Sequence, residues 1–341
     1  MTDAAAPPDV PPGAVSDPAL AALLNQFTGI QRLKTDVFRD RVRHAPELEA
    51  RLAAARGAGP AAVATIAAEL LAAPDPAPAA LIDLLLSQRA VRDWNAMIAL
   101  VARLPPALRD STLVQEQFGL ALNRAGRDDE SERVLNAVLA RCGPSSETCS
   151  LLGRVHKNRF ERAQRAGDAA TAARCLQHAA DAYRQGFEAD PSDAFPGINA
   201  LTLMTLQQPP DPRRTALRPA VQAALETRLR GATPDGAGGS GGPDYWDHAT
   251  RIELAVLARD EAGARAALAD ALAAVREAWE PESTARNLAL IRAAREARAD
   301  APAWAREVEA ALARRGMQTG TAVVATDKPG NPGARCGPTR R

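Results

Sequence analysis

Two glycines set the strongest constraint on this chain. Gly119 and Gly153 lie one 34-residue period apart, each directly after a large apolar residue, Phe118 or Leu152. Each sits inside a run whose apolar residues recur at helical spacing. From Ala79 onward such runs last about 12–18 residues and are divided by short turns at Pro105-Pro106, Ala125-Gly126-Arg127 and Cys142-Gly143-Pro144. The alternation expected of strands is absent. A glycine recurring at one place in successive helical runs marks a point where the two helices of a pair approach closely and a side chain would push them apart.

The period and the breakers fit the tetratricopeptide pattern, a helix–turn–helix repeat of 34 residues. One copy begins at Thr112, with Phe118-Gly119, Leu122, Ser131, Leu135, Val138 and Gly143 in register. The next begins at Ser146, with Leu152-Gly153 and His156, and its second helix carries Ala179, Tyr183, Gly186 and Pro191. An insertion at roughly Arg162–Ala173 is expected to lengthen one or both helices of that copy. A weaker copy covers Ala79 to Pro106. The apolar mass supports this reading: hydrophobic residues are 46% of the chain and aromatics 4%, so most of it is Ala and Leu, strong helix formers. The expected fold is therefore all-α, an α-α superhelix of about a dozen helices built as a tetratricopeptide-like solenoid.

Around this array the expected boundaries are a Pro- and Ala-rich disordered segment over 1–18, a helical repeat region over 19–230, a Gly-rich flexible loop over 231–244, helices over 245–315 that complete the same array, and a disordered tail over 316–341. Within these, Leu201–Arg230, Glu261–Trp279 and Pro281–Arg315 read as continuous helices, with Glu280-Pro281-Glu282 as a helix start.

Charge and motifs exclude several functions. The 42 basic and 41 acidic residues leave a net charge of +1, unlike a dedicated nucleic-acid binder. No stretch reaches the roughly 20 apolar residues of a membrane span, and Met1–Pro18 lacks an apolar core, so a cytoplasmic location is expected. The basic residues are nearly all Arg, with lysine only at 34, 157 and 328, which points to a GC-rich genome. Cys142, Cys149, Cys175 and Cys336 form no C-x-x-C pair and read as small buried residues plus one in the tail. His44, His156, His178 and His248 show no metal-ligand spacing. The G-x-G-x-x-G match at Gly236–Gly241 lacks the preceding strand that a dinucleotide site needs. No catalytic residue, metal or cofactor is expected.

Four ordered stretches resemble a known family: CSLLGRVHKNRF from Cys149, DAYRQGFEADPSDAFPGIN from Asp181, DYWDHAT from Asp244 and ARNLALIR from Ala285. They are similar to the TRAF-binding region of the apoptosis signal-regulating kinases, a branch of the MAP kinase kinase kinases, with His156 in place of a Tyr and Asn158 in place of an Asp. LKTDVFRDRV and DLLLSQRAVRDWNAMIALV look like bacterial members of the same domain family. The resemblance covers about Leu20–Arg298 and implies a helical, regulatory protein-interaction platform. The chain carries no kinase motifs, so it resembles a stand-alone bacterial member without a kinase domain.

In tetratricopeptide arrays the first helix of each pair lines a groove. Here that register places Leu113, Glu116, Leu120, Asn123 and Arg124 in one pair and Glu147, Ser150, Arg154, Lys157 and Asn158 in the next. Arg154, Lys157 and Asn158 share a helix face. With Asn123 and Arg124 they form the expected partner-binding groove, suited to a protein or peptide partner bearing an acidic segment or a C-terminal carboxylate. The competing role for the same residues is structural pairing with neighbouring acids. Two rival functions remain: an accessory subunit that shapes a complex, and an enzyme using His248, Asp247 or buried acids.

Overall fold

The structure is a computed structural model and describes residues 44–231, 243–276 and 279–325. The expected N-terminal segment, the expected helical region as far as residue 43, nearly all of the Gly-rich loop, and the tail beyond 325 lie outside the described residues. The described residues form fifteen helices and no strand, so the all-α expectation holds. Within each unit, consecutive helices pair through short turns and the pairs stack on one another, as in an α-α superhelix. The contacts divide into two units, Met1–Ala200 and Leu201–Arg341.

The first unit begins with α1 (Pro46–Ala58) and α2 (Pro60–Ala72), each opened by a proline that needs no amide partner there. Then follow α3 (Pro78–Ala90), α4 (Trp94–Arg103) and the single turn α5 (Pro106–Arg109). Every residue of α3 from Ala80 to Gln88 is buried. Leu81, Ile82, Leu84, Leu85 and Leu86 meet Leu52, Met97, Leu100 and Leu108 in one core. A helix apolar on several sides has to be enclosed by neighbours, and α1, α2 and α4 supply them.

The two regular pairs are α6 (Thr112–Arg124) with α7 (Asp128–Cys142), and α8 (Ser146–Arg165) with α9 (Ala169–Ala189). Side-chain caps start α6 and α8: Ser111 accepts from the Val114 amide and Ser145 from the Thr148 amide. Gly143, at φ +77°, ends α7 in a backbone conformation that disfavours side chains. The insertion lengthens both helices of the second pair, to 20 and 21 residues against 13 and 15 in the first. The helix α10 (Ala194–Leu206) runs across the unit boundary. Gly197-Ile198-Asn199 lies inside α10.

The second unit continues with α11 (Arg214–Gly231), α12 (Tyr245–Ala258), α13 (Glu261–Ala273), α14 (Trp279–Glu296) and α15 (Ala305–Ala325). Three expected continuous helices are broken or shortened. Prolines 209, 210 and 212 separate α10 from α11, since proline has no amide to donate and restricts the residue before it. Pro281–Arg315 divides at 297–304, where Ala299 has φ +55° and Pro302 precedes α15. The helix expected to reach Trp279 stops at Ala273, and a new one starts at Trp279, which puts Glu280 and Glu282 in its first turn. At the far end α15 runs to Ala325, past Gly316, where the sequence pattern suggests a stop. No helix of the described residues is long and apolar enough to cross a membrane.

Candidate partner-binding face

The first helices of the two regular pairs, α6 and α8, pack side by side, and polar rungs join them. Thr148 Oγ1 donates to Glu116 Oε1 at 2.5 Å. Further along, Asn158 Nδ2 donates to Asn123 Oδ1 at 3.2 Å, and Asn123 Nδ2 donates to Asp128 Oδ1 at 2.7 Å. Arg162 closes this chain by pairing with the other oxygen of Asp128. A buried amide needs partners on both of its ends, and Asn123 has them. On the neighbouring face, Arg159 bridges Glu132 at 2.5 Å and Asp129 at 2.6 Å.

This geometry sorts the expected groove residues. Leu113, Glu116, Leu120, Asn123 and Ser150 are buried, so they hold helices together beneath the surface. The accessible part of the face comes from exposed Arg124 and from half-buried Glu147, Arg154, Lys157 and Asn158. Arg124 lies with its guanidinium carbon 5.9 Å from the centre of the Trp94 ring, a cation–π distance. Arg154 forms no hydrogen bond or ion pair among the described residues, and Lys157 follows one turn later on the same side of α8. Both Arg124 and Arg154 act electrostatically on the Tyr183 phenol, whose pKa burial pushes above its ordinary value. Both arginines thus lie within electrostatic range of the Tyr183 phenol, while Asn123 and Asn158 belong to the rung. The buried acid Asp128 and the Arg162 that meets it were not legible as a pair, because the two stand 34 residues apart with no local pattern to link them.

The other candidates have structural partners. Asp247 sits in a capping box with Asp244 at the start of α12 and accepts from Arg228 Nε at 2.5 Å. His248 turns to α13, with Nδ1 at 3.9 Å from Asp270. Tyr245 is buried and donates to Thr284 Oγ1 at 2.8 Å. Asp247 and His248 therefore point to separate partners. His156 packs edge-on to His178, with ring centres 5.3 Å apart, and lies 3.6 Å from Glu132. Asn199 is buried and donates back to the Phe195 carbonyl. Cys149 and Cys175 are buried as expected, but Cys142 is exposed, because it ends α7 at the turn. Among the described residues no group of three His, Cys, Asp or Glu side chains could hold a metal ion. The Gly-rich match at 236–241 and Cys336 lie outside the described residues.

Comparison with known proteins places this face in context. The chain is 28% identical over 226 residues to mitogen-activated protein kinase kinase kinase nsy-1 of Caenorhabditis elegans, covering 61% of this chain and 14% of that protein. It is also 28% identical over 226 residues to mitogen-activated protein kinase kinase kinase 15 of Mus musculus, covering 62% of this chain and 16% of the relative. The chain thus matches a small fraction of the length of either kinase. A family model, the MAP3K TRAFs-binding domain, matches residues 68–310, a span that contains every residue of the face and both regular helix pairs. The chain belongs to the MAP3K TRAFs-binding domain family.

Proposed function

We propose that this chain is a non-catalytic interaction scaffold of a regulatory or signalling assembly, and that the Arg124–Arg154–Lys157 face receives an acidic segment of a protein partner. The helix pairs are read as tetratricopeptide-like repeats, acting in the cytoplasm. The observation that carries the proposal is Arg154. It is half-buried, it forms no ion pair among the described residues, and a second arginine, Arg124, lies within electrostatic range of the same phenol. A guanidinium held this way is ready to form a forked, charge-assisted pair with a carboxylate. The family description names TRAF proteins. For this chain the proposal keeps only the shared chemistry, protein recognition, and takes the acidic character of the partner from the basic face.

The test is fluorescence anisotropy with a labelled Glu/Asp-rich peptide, and with a Lys-rich peptide of equal length as the control. Arg154→Ala with Lys157→Ala is expected to weaken binding of the acidic peptide by about tenfold or more, since one lost charge-assisted contact is worth about 1.5–3 kcal/mol. Circular dichroism is expected to stay unchanged. Equal affinity of wild type and double variant, or equal binding of the two peptides, overturns the proposal and favours a purely architectural subunit.

A further inference from the structure

Beneath the binding face lies a carboxyl group that the proposed function does not use. Glu116 projects from α6 into the joint with α8 and is 6% exposed. Its Oε1 accepts from Thr148 Oγ1, which in turn accepts from Ser145 Oγ at 2.9 Å. Ser145 is the residue that caps α8, so the carboxyl reads the first turn of that helix. The charged group that acts on it is another acid, Glu147 of α8. Other titratable groups near the joint are the Cys142 and Cys149 thiols, on both of which the Glu116 charge acts. Arg141 acts on Cys142, and Asp193 accepts from Ser146 at 2.6 Å.

We propose that the α6–α8 joint is a proton-operated latch, closed when Glu116 is a neutral carboxylic acid and loosened when it gives its proton to water. A neutral carboxyl can be buried against hydroxyls at little cost. A carboxylate in the same place is taken out of water and set beside Glu147. Burial, and then Glu147, raise its pKa from 4.5 to about 7, with the two hydroxyls opposing. The positive end of the α8 dipole also favours the charged form, but Glu147 in the first turn already offsets it. The latch therefore changes state near neutral pH. Opening it separates the two helices that carry Arg124 and Arg154. That consequence for ligand capture rests on the proposed function, whereas the latch itself does not.

The experiment uses the full chain without ligand, so it succeeds or fails independently of peptide binding. Hydrogen–deuterium exchange of the amides at the start of α8 is followed from pH 5 to pH 8, each rate divided by its intrinsic rate. With a carboxyl pKa of 4.5 in the open joint and about 7 in the closed one, the opening constant should rise about fortyfold between pH 5 and pH 7 and level off above. Glu116→Gln, which keeps the acceptor oxygen and removes the titration, should lose that rise. If Glu116→Gln does not fold, Glu147→Gln serves: it should move the midpoint to lower pH and shrink the rise. An opening constant of wild type that is flat over this range, or one that rises equally in the variants, overturns the latch.

Discussion

A β-carbon added at Gly153 would stand 2.5 Å from Cδ2 of Tyr183, closer than side-chain carbons ever approach an aromatic ring. The same construction at Gly119 would meet Leu135 Cδ2 at 2.7 Å. The two repeated glycines are therefore crossing points in successive helix pairs, and their period in the sequence is the period of the packing. Gly153→Ala is expected to lower stability by about 1–3 kcal/mol, because the overpacking cost exceeds the ~1 kcal/mol that alanine gains in a helix. Gly119→Ala should cost less, since the end of a leucine can turn where a buried ring cannot. Urea denaturation of both variants checks this, and Tyr183→Leu should restore most of the loss in the Gly153 background.

The rung at Asn123 separates structural from binding residues. Asn123→Ala leaves Asp128 with one partner fewer and strands the Asn158 amide. It is expected to cost about 1–3 kcal/mol. Arg154→Ala removes no internal bond and should stay within about 0.5 kcal/mol of wild type. Chemical denaturation midpoints compare them directly. A large loss in Arg154→Ala would show that this arginine holds the fold.

Much of this fold is legible in the sequence, for a physical reason. Periodicity records which face of a helix is buried, and glycine at a fixed step records where backbones approach, so α6 to α9 could be read in register. Breaks that depend on tertiary context could not. Nothing local stops a helix at Ala273, and Ala299 adopts a left-handed conformation only because the chain must turn there. The candidate face was legible by register alone. Register fixes the side of a helix, but it does not show whether a neighbouring helix covers that side. This is why Asn123, at an expected groove position, turned out buried, while Arg154 and Lys157 on the adjacent helix stayed accessible. Asp247 and His248 adjoin in sequence but lie on different sides of α12, as neighbours on a helix must.

In the second unit, Arg295 supports the end of another helix. It is 5% exposed, and it donates through Nη1 to the Val256 carbonyl at 2.9 Å and through Nη2 to the Leu257 carbonyl at 2.8 Å. These carbonyls belong to the last turn of α12, where helical partners run out; the Val256 carbonyl also accepts from the Arg259 amide at 3.2 Å. Arg295→Lys keeps the charge but replaces a planar fork by a single ammonium. It is expected to destabilise by about 1–3 kcal/mol and to raise amide exchange at the end of α12 before other helices respond. Unaltered exchange there would remove the capping role.

Two groups, the partly buried His156 and the buried Glu116, give stability opposite slopes in pH, and their variants should pull the slopes apart. Burial lowers the His156 pKa below 6.5, more than Glu132 raises it, with His178 and Arg159 adding to the depression. The folded chain prefers the neutral imidazole, so the unfolded chain binds the proton first as pH falls. Stability from this group is present above 6.5 and is lost as pH drops through that value towards the depressed one. Glu116 works the other way: its folded pKa is raised to about 7 from 4.5, so its contribution is present below 4.5 and fades as pH rises to about 7. In wild type the two partly cancel between pH 5 and 7. His156→Gln should therefore leave a stability that falls with rising pH, and Glu116→Gln one that rises. Thermal melts of the three proteins across pH 5–8 provide the comparison, and parallel profiles would contradict both assignments.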